Sequence, residues 1–281
     1  MNKIEDKIEL LKKYFEERPD ILMAFIFGSF AKGRQISDSD FDTAIYFDPK
    51  NKEVELGSEV YKDEGRIWLD IEKIMGINTD LVVLNRAPAT LSFEILRTGK
   101  PLIIKNYNFY LSFLSRVSFE AVDFMEMAED YWKIKERSAS LSKIDRQRLM
   151  RLNDFLESEL SDKDYFADLD WKSYQNNIHK RREVERWVEN IVNCSIDMAK
   201  IILASEKKIL PETYKDMLQN LALLPGFDES VASKLAQFAV LRNILAHEYL
   251  DIRLPQIQKF IKEASSLYKE LCRFVRNLLQ Q

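Results

Sequence analysis

Hydrophobic and polar positions change their spacing once along the chain, near residue 105. Before that point, short apolar runs such as AFIFGS, DTAIYF and TDLVVL alternate with helical patterns, and such runs are typical of strands. After it, apolar residues recur at helical spacing in one segment after another. We therefore predict an α+β protein in which an N-terminal α/β domain with a small mixed sheet precedes an all-α helical bundle.

The helical half begins with a long amphipathic segment that starts near Phe109 and ends near the sequence KERSAS. The polar stretch 138–143 follows it, and such stretches commonly separate domains. This places the two predicted domains at residues 1–138 and 139–281. Further helical patterns are predicted near residues 142–160, 171–207, 211–223, 228–247 and 255–280.

Composition limits the class of protein and the cellular compartment in which it is expected. The 281 residues are 46% hydrophobic, which is enough for a core in each of two domains. Charged residues make up 31%, but the net charge is only −4, so any nucleic-acid binding must use a local patch. Cys194 and Cys272 lie far apart in helical patterns, which indicates reduced, buried thiols. No apolar run reaches the ~18 residues of a membrane span, and we expect a cytoplasmic protein without membrane contact.

Three aspartates, Asp38, Asp40 and Asp42, lie within five residues, shortly after a Gly-Ser turn. Their mutual repulsion suggests that the fold concentrates negative charge to bind a cation. Asp40 and Asp42 belong to the run DFDTAIYF, and side chains two apart on a strand point to the same face. Asp38 precedes the strand and is expected to cap it or to face solvent.

The run NTDLVVLN supplies a third carboxylate, Asp80, at the start of another predicted strand. If this strand lies beside DFDTAIYF, Asp80 reaches the same end of the sheet as Asp40 and Asp42. Mg²⁺ held there could bridge the oxygens of a triphosphate, while Asp80 accepts a proton from an attacking hydroxyl. Asp70 is the nearest rival, but it lies in a helical pattern and is expected to face solvent.

The turn before these aspartates has the composition of a phosphate-binding loop. Gly28 permits a tight backbone path, and Ser29 opens the following helix with backbone N–H groups and a hydroxyl that suit a phosphate. Lys32 and Arg34 could contact phosphates or be inert surface residues.

Taken together, Gly28-Ser29-x-x-x-Gly33, Ser39-Asp40-x-Asp42, the strand that starts at Asp80 and the following RAPATLSFEILRTGKPLI resemble the polymerase-beta-type nucleotidyltransferases, in particular the minimal nucleotidyltransferase group. The resemblance covers roughly residues 1–138. It implies that Asp40 and Asp42 bind Mg²⁺, that Asp80 is a metal ligand or base, and that Gly28 and Ser29 hold the phosphates of ATP.

A second candidate site lies in FAVLRNILAHEYLDIRLP, where Arg242 and His247 are five residues apart. On a straight helix they are separated by about 140°, so either the helix ends near Ala246 or a second copy of the chain completes the site. A neutral imidazole can take a proton from an RNA 2′-hydroxyl while a guanidinium holds the phosphate, without metal. A surface pair at a helix end is the plainer alternative.

The element Arg242-Asn243-x-x-x-His247-x-Tyr249, with the helical sequences before it, resembles the HEPN toxin domain of nucleotidyltransferase–HEPN toxin–antitoxin pairs over about residues 141–281. The resemblance implies a dimerising helical bundle in which Arg242 and His247 cut RNA without metal. It also implies that the transferase adds AMP to Tyr249 and silences the ribonuclease. A Tyr249 that merely packs on the bundle is the alternative.

A basic cluster beside His179, formed by Lys180, Arg181 and Arg182, is either a solvated surface or a contact for RNA backbone.

The resembled systems commonly use two chains, whereas both elements lie here in one polypeptide. We therefore predict a toxin–antitoxin fusion that modifies its own HEPN domain in cis or in trans, acts on RNA, and forms a homodimer through that domain. One alternative is a small-molecule, aminoglycoside-type nucleotidyltransferase with a helical substrate-binding domain. Another is a nucleotide-binding regulator with a decayed centre, which the intact aspartate set disfavours.

Overall fold

The computed structural model describes residues 3–34, 39–49, 60–247 and 253–280. The chain divides into two compact units, Met1–Met125 and Glu126–Gln281. The elements of the first unit are α1 (Lys3–Glu16), β1 (Ile21–Ile26), α2 (Gly28–Ala31), β2 (Phe41–Phe47), α3 (Glu64–Met75), β3 (Thr79–Val83), α4 (Ala89–Thr98), β4 (Lys100–Ile104) and the first part of α5 (Tyr107–Arg137).

The strands of the first unit form a mixed sheet in the order β3-β2-β1-β4. Strand β1 runs antiparallel to β2 and β4, while β2 and β3 are parallel. The small mixed sheet and the three strands predicted from apolar runs are therefore confirmed. Strand β4 was not predicted, because its sequence KPLII is short, begins with exposed residues and contains a proline, which is tolerated at a sheet edge.

Helices cover both faces of this sheet, so the sheet is buried between two layers of helices. Residues Ala24 and Ile26 of β1 pack in a core with α1 and α3. The intervening Phe25 packs instead in a core with α4 and α5. Strand β2 alternates in the same way, with Ile45 in the first core and Tyr46 in the second. Burial on both faces explains why the strands appear in the sequence as nearly continuous apolar runs.

Asn85 joins the ends of β2 and β3. Its side-chain Oδ1 accepts a hydrogen bond from the backbone N–H of Phe47 at 2.8 Å, and its Nδ2 donates to the carbonyl oxygen of Phe47 at 3.0 Å. Because Asn85 is buried, these bonds replace solvent for both backbone groups of Phe47. They hold the parallel pair of strands in register beyond the last residue of β3.

The second unit is helical throughout its described part, as predicted. It contains the rest of α5, then α6 (Lys143–Ser161), a 3₁₀ helix (Asp162–Phe166), α7 (Trp171–Asn176), α8 (Ile178–Ser205), α9 (Tyr214–Gln219), a second 3₁₀ helix (Asn220–Leu223), α10 (Glu229–His247) and α11 (Arg253–Gln280). The single helix predicted over 171–207 is in fact two, because the side chain of Asn177 caps α8 by accepting from the N–H groups of His179 and Lys180.

Helix α8 lies at the centre of the bundle, and nearly all of its residues from Ile191 to Ser205 are buried. Trp187 of α8, Phe238 of α10 and Phe260 of α11 form an aromatic cluster within its core. Burial raises the pKa of the Cys194 and Cys272 thiols to about 12, and both cysteines are free and buried, in agreement with the prediction of reduced, buried thiols. Within the described ranges, no helix has the length and apolarity needed to cross a membrane.

A network of charged side chains connects α5, α6 and α8 in this unit. Asp130 accepts from Arg148 at 2.8 Å and lies 2.9 Å from the ammonium of the buried Lys200. Burial would raise the pKa of Asp130, but the hydrogen bonds and charges of Arg148 and Lys200 outweigh it and lower this pKa to about 2. The C-terminal part of α5 is thus fixed within the helical unit. The domain boundary at 138/139 stays a prediction, since α5 contributes to both units.

Candidate functional site

The first candidate site begins where β1 ends and the chain enters α2 at Gly28. This glycine has a φ of +68°, and a Cβ added to it would lie 1.9 Å from Oδ2 of Asp42. Both observations exclude any other residue here without rearrangement, because the left-handed backbone is strained for L side chains and the carboxylate already occupies the space. Gly28 therefore lets the backbone of the turn approach Asp42 directly.

Asp42 and Asp80 lie side by side on β2 and β3. They are register partners in the parallel pair, and the alternation of side chains directs both to the face of the sheet covered by α4 and α5. Asp42 is half-buried, while Asp80 is exposed at the start of β3. The structure thus brings these two predicted carboxylates together at the same end of the sheet.

Asp40 is exposed and lies immediately before β2. It is close enough for its charge to act on Asp42, as does that of Asp80. Burial raises the pKa of Asp42 most, and the negative charges of Asp80 and Asp40 raise it further, while a hydrogen bond from the backbone N–H of Ser29 opposes the rise. Electrostatic repulsion among these carboxylates is therefore part of the folded state, and a bound cation would relieve it.

The donor set suits Mg²⁺ in the presence of a nucleotide. Among the described residues, no three His, Cys, Asp or Glu side chains are arranged as a complete metal cage, although Asp40 and Asp80 both act electrostatically on Asp42. These observations are compatible, because Mg²⁺ in nucleotide enzymes is held by one or two carboxylates together with substrate phosphates and water. Asp42 and Asp80 could supply two such carboxylates, and Asp40 could supply a third nearby.

The second candidate site is centred on Arg242 of α10. Its Nε donates to Oδ1 of Asn193 on α8 at 3.0 Å, and its guanidinium carbon lies 5.0 Å from the ring centroid of Tyr214 at the start of α9. Neither partner was predicted from the sequence. Asn193 is a polar residue within the apolar run IVNCSI, which was the available signal, whereas nothing in the sequence around Tyr214 pointed to Arg242.

The described part of helix α10 extends to His247. The side chain of His247, and Tyr249 and Asp38 as a whole, lie outside the described residues. The roles assigned to His247 and Tyr249 therefore stay predictions.

The remaining candidates occupy ordinary surface positions. Lys32 forms an ion pair with Glu94 at 3.7 Å, and Arg34 and His179 are exposed. Asp70 lies on α3, where it accepts a hydrogen bond from the Tyr14 hydroxyl at 2.9 Å.

Each part of the chain is similar to a known protein family. Residues 9–108 match the family model described as "Polymerase beta, Nucleotidyltransferase", and residues 147–277 match the one described as "Ribonuclease HepT-like". No curated protein matches significantly.

Among solved structures, one described as the toxin-antitoxin with AMP-PNP is similar at 21% identity and a TM-score of 0.34, over 46% of this chain and 92% of that chain. Another, described as the toxin-antitoxin MntA-HepT, is similar at 17% identity and a TM-score of 0.31, over 44% of this chain and 90% of that chain.

The contact between Gly28 and Asp42 can be tested with a matched pair of glycines. Gly33 has a φ of +64°, like Gly28, but a Cβ added to it meets no atom within 4 Å. Gly33→Ala therefore carries only backbone strain, whereas Gly28→Ala must also displace the Asp42 carboxylate. We expect Gly28→Ala to weaken binding of a non-hydrolysable ATP analogue with Mg²⁺ by about 10-fold or more, and Gly33→Ala to change it little, as measured by calorimetry. Equal affinities would contradict this account of the turn.

The raised pKa of Asp42 predicts a pH-dependent stability. Because its pKa in the folded state exceeds that in the unfolded chain, ionised Asp42 destabilises the fold at neutral pH, and this penalty disappears as the pH falls through both values. Asp42→Asn, which keeps an acceptor for the Ser29 N–H, should therefore stabilise the protein at pH 7 by less than about 1 kcal/mol, since solvent screens a half-buried charge. The gain should vanish at acidic pH.

Urea unfolding at both pH values measures the effect of Asp42→Asn. The exposed Asp48, directly after β2, provides the control, and Asp48→Asn should leave the midpoint unchanged at either pH. A stabilisation by Asp42→Asn that persists undiminished at acidic pH would show that charge repulsion is not its cause.

Proposed function

We propose that this chain, which joins a nucleotidyltransferase domain of the polymerase-beta type to a HepT-like ribonuclease domain, is a self-regulating toxin–antitoxin fusion. In this proposal the transferase domain moves AMP from ATP to Tyr249, and the modification silences the ribonuclease. The observation that carries the proposal is the register pairing of Asp42 with Asp80, beside a turn in which Gly28 gives the backbone close access to Asp42.

In this proposal, adenylyl transfer uses metal ligands, a phosphate-binding turn and a proton acceptor from the first unit and the entering tyrosine from the second, each assigned from the sequence and its resemblance. Asp40, Asp42 and Asp80 would hold Mg²⁺, which when bound neutralises the charge of the triphosphate. The phosphates are assigned to the turn formed by Gly28 and Ser29. The tyrosine oxygen attacks the α-phosphorus of ATP, the bond to pyrophosphate breaks, and the hydroxyl proton passes to a carboxylate. We assign this proton to Asp80, because it is the exposed member of the register pair.

The ribonuclease centre uses different chemistry. The imidazole of His247 accepts the proton of an RNA 2′-hydroxyl, whose oxygen attacks the adjacent phosphorus and displaces the 5′-oxygen of the next nucleotide. The products are a 2′,3′-cyclic phosphate and a 5′-hydroxyl, which receives its proton from the imidazolium. The guanidinium of Arg242 stabilises the negative charge that grows on the phosphate oxygens. Every group in this step is provided by the protein or by RNA, so cleavage is proposed to proceed in the presence of a metal chelator.

Silencing follows from the position of Tyr249 in the sequence, two residues after His247. An AMP group there adds a phosphate charge and a bulky nucleoside beside the cleavage centre, where both compete with RNA. Because transferase and target share one chain, their effective concentration is high whether the reaction occurs in cis or between the subunits of a dimer. Dimer formation through the HEPN domain and a cytoplasmic location are parts of the same proposal.

Intact-mass analysis tests the transferase reaction. After incubation with ATP and Mg²⁺, we expect the protein to gain the mass of one or more adenylate groups, with one of them mapping to Tyr249. Asp42→Ala should abolish the gain, and Tyr249→Phe should remove that site. If the protein stays unmodified while an added aminoglycoside gains AMP, the small-molecule transferase alternative is correct instead.

Cleavage of RNA in EDTA tests the second reaction. The Tyr249→Phe chain cannot be silenced at that position, so it should degrade cellular RNA without added metal, and sequencing of the fragments identifies the cleaved sites. His247→Ala in the same background should be inactive, because the proton acceptor is lost. Equal cleavage by the two proteins would remove His247 from the mechanism.

A further inference from the structure

Three helices of the second unit meet at Arg242. Asn193 comes from α8, Tyr214 from α9 and Arg242 itself from α10. From this arrangement we infer that Asn193 and Tyr214 are positioning residues, which hold the guanidinium of Arg242 in the orientation that RNA cleavage requires. The inference rests on the proposed ribonuclease function and extends it to two residues outside the Arg–His element.

The two contacts restrain the guanidinium in different directions. The hydrogen bond from Nε to Oδ1 of Asn193 is 3.0 Å long. It prevents the planar guanidinium from rotating within its own plane. The Tyr214 ring, with its centroid 5.0 Å from the guanidinium carbon, restrains movement of the group toward the ring. The Nε side of the guanidinium is thereby engaged with Asn193 inside the protein.

This restraint matters because an arginine side chain is long and rotates about several bonds. A guanidinium that must find its orientation during each reaction stabilises the transition state less than one that is already placed. Tyr214 is itself well placed for this purpose, because Thr213 caps α9 by accepting a hydrogen bond from the N–H of Asp216. The cap fixes the residue at which α9 begins. Tyr214 is that first residue, and it is only 9% exposed.

Packing of the helices does not by itself explain these polar contacts. Helix α10 already contributes buried apolar residues such as Ala239, Leu241 and Leu245, and α8 and α9 contribute Val192 and Leu218. An asparagine within the apolar part of α8 loses hydration that a leucine would not lose. Beside Arg242, Asn193 supplies an acceptor oxygen that an apolar residue of the bundle could not supply.

Paired substitutions in the full-length Tyr249→Phe chain test the inference, with cleavage measured on the RNA that this chain degrades in EDTA. Asn193→Leu removes the acceptor at similar volume, and Tyr214→Leu removes the ring. We expect each to lower kcat roughly 10- to 100-fold with little change in KM. Tyr214→Phe keeps the ring, so it should retain most of the activity. Thermal melting of each variant shows whether it is folded.

Coupling to Arg242 separates positioning from a general structural role. Arg242→Lys keeps the charge but loses Nε and the planar group, so adding Asn193→Leu to it should cause little further loss. Additive losses would overturn the inference, as would Tyr214→Phe losing as much activity as Tyr214→Leu.

The controls also distinguish this inference from the function on which it rests. If the Tyr249→Phe chain cleaves no RNA, the proposed ribonuclease function fails, and the inference fails with it. If that chain is active and Arg242→Lys is impaired, but Asn193→Leu and Tyr214→Leu match the parent chain, only the positioning inference is overturned.

Discussion

The parallel pairing of β2 with β3 is the constraint on which the first candidate site depends. It places Asp42 directly beside Asp80, although burial and the neighbouring negative charges raise the pKa of Asp42 and so oppose its ionised form. The fold tolerates this repulsion because apolar side chains bury both faces of the sheet and Asn85 joins the strand ends through two hydrogen bonds. Stability supplied by the core thus holds together charges that would otherwise separate.

The geometry of the turn follows from the same constraint. Asp42 points toward Gly28, where any side chain would collide with its carboxylate, and the N–H of Ser29 donates to that carboxylate. Gly28 and the backbone N–H of Ser29 therefore both depend on the position of Asp42. Residues 28 and 42 are far apart in the sequence, but the antiparallel pairing of β1 with β2 brings them together.

Much of this architecture could be predicted from the sequence, for identifiable physical reasons. Three strands and the long helices have strong apolar patterns, and the sheet carboxylates follow from the alternation of side chains on strands. Strand β4 was missed, because an edge strand with a proline has no such pattern. The break at Asn177 was missed because flanking helical patterns join across a single capping residue. Asn193 and Tyr214 were missed because their contact with Arg242 depends on the packing of three helices far apart in sequence.

The two candidate centres would bind phosphate in opposite ways. This difference suggests how the transferase could inhibit the ribonuclease. Under the proposed function, the acidic transferase centre would need a cation before it could accept a triphosphate, whereas Arg242 could bind a phosphate directly through its guanidinium. An AMP group on a tyrosine is a phosphodiester with one negative charge, which is also the chemical character of an RNA linkage. Under the proposed function, the modification would therefore present Arg242 with the kind of group it binds in RNA, but without a neighbouring 2′-hydroxyl on the tyrosine side to attack it. If Asn193 and Tyr214 restrain the guanidinium as inferred, this inhibition would be more effective, since a group already oriented for one phosphodiester would be oriented for the other.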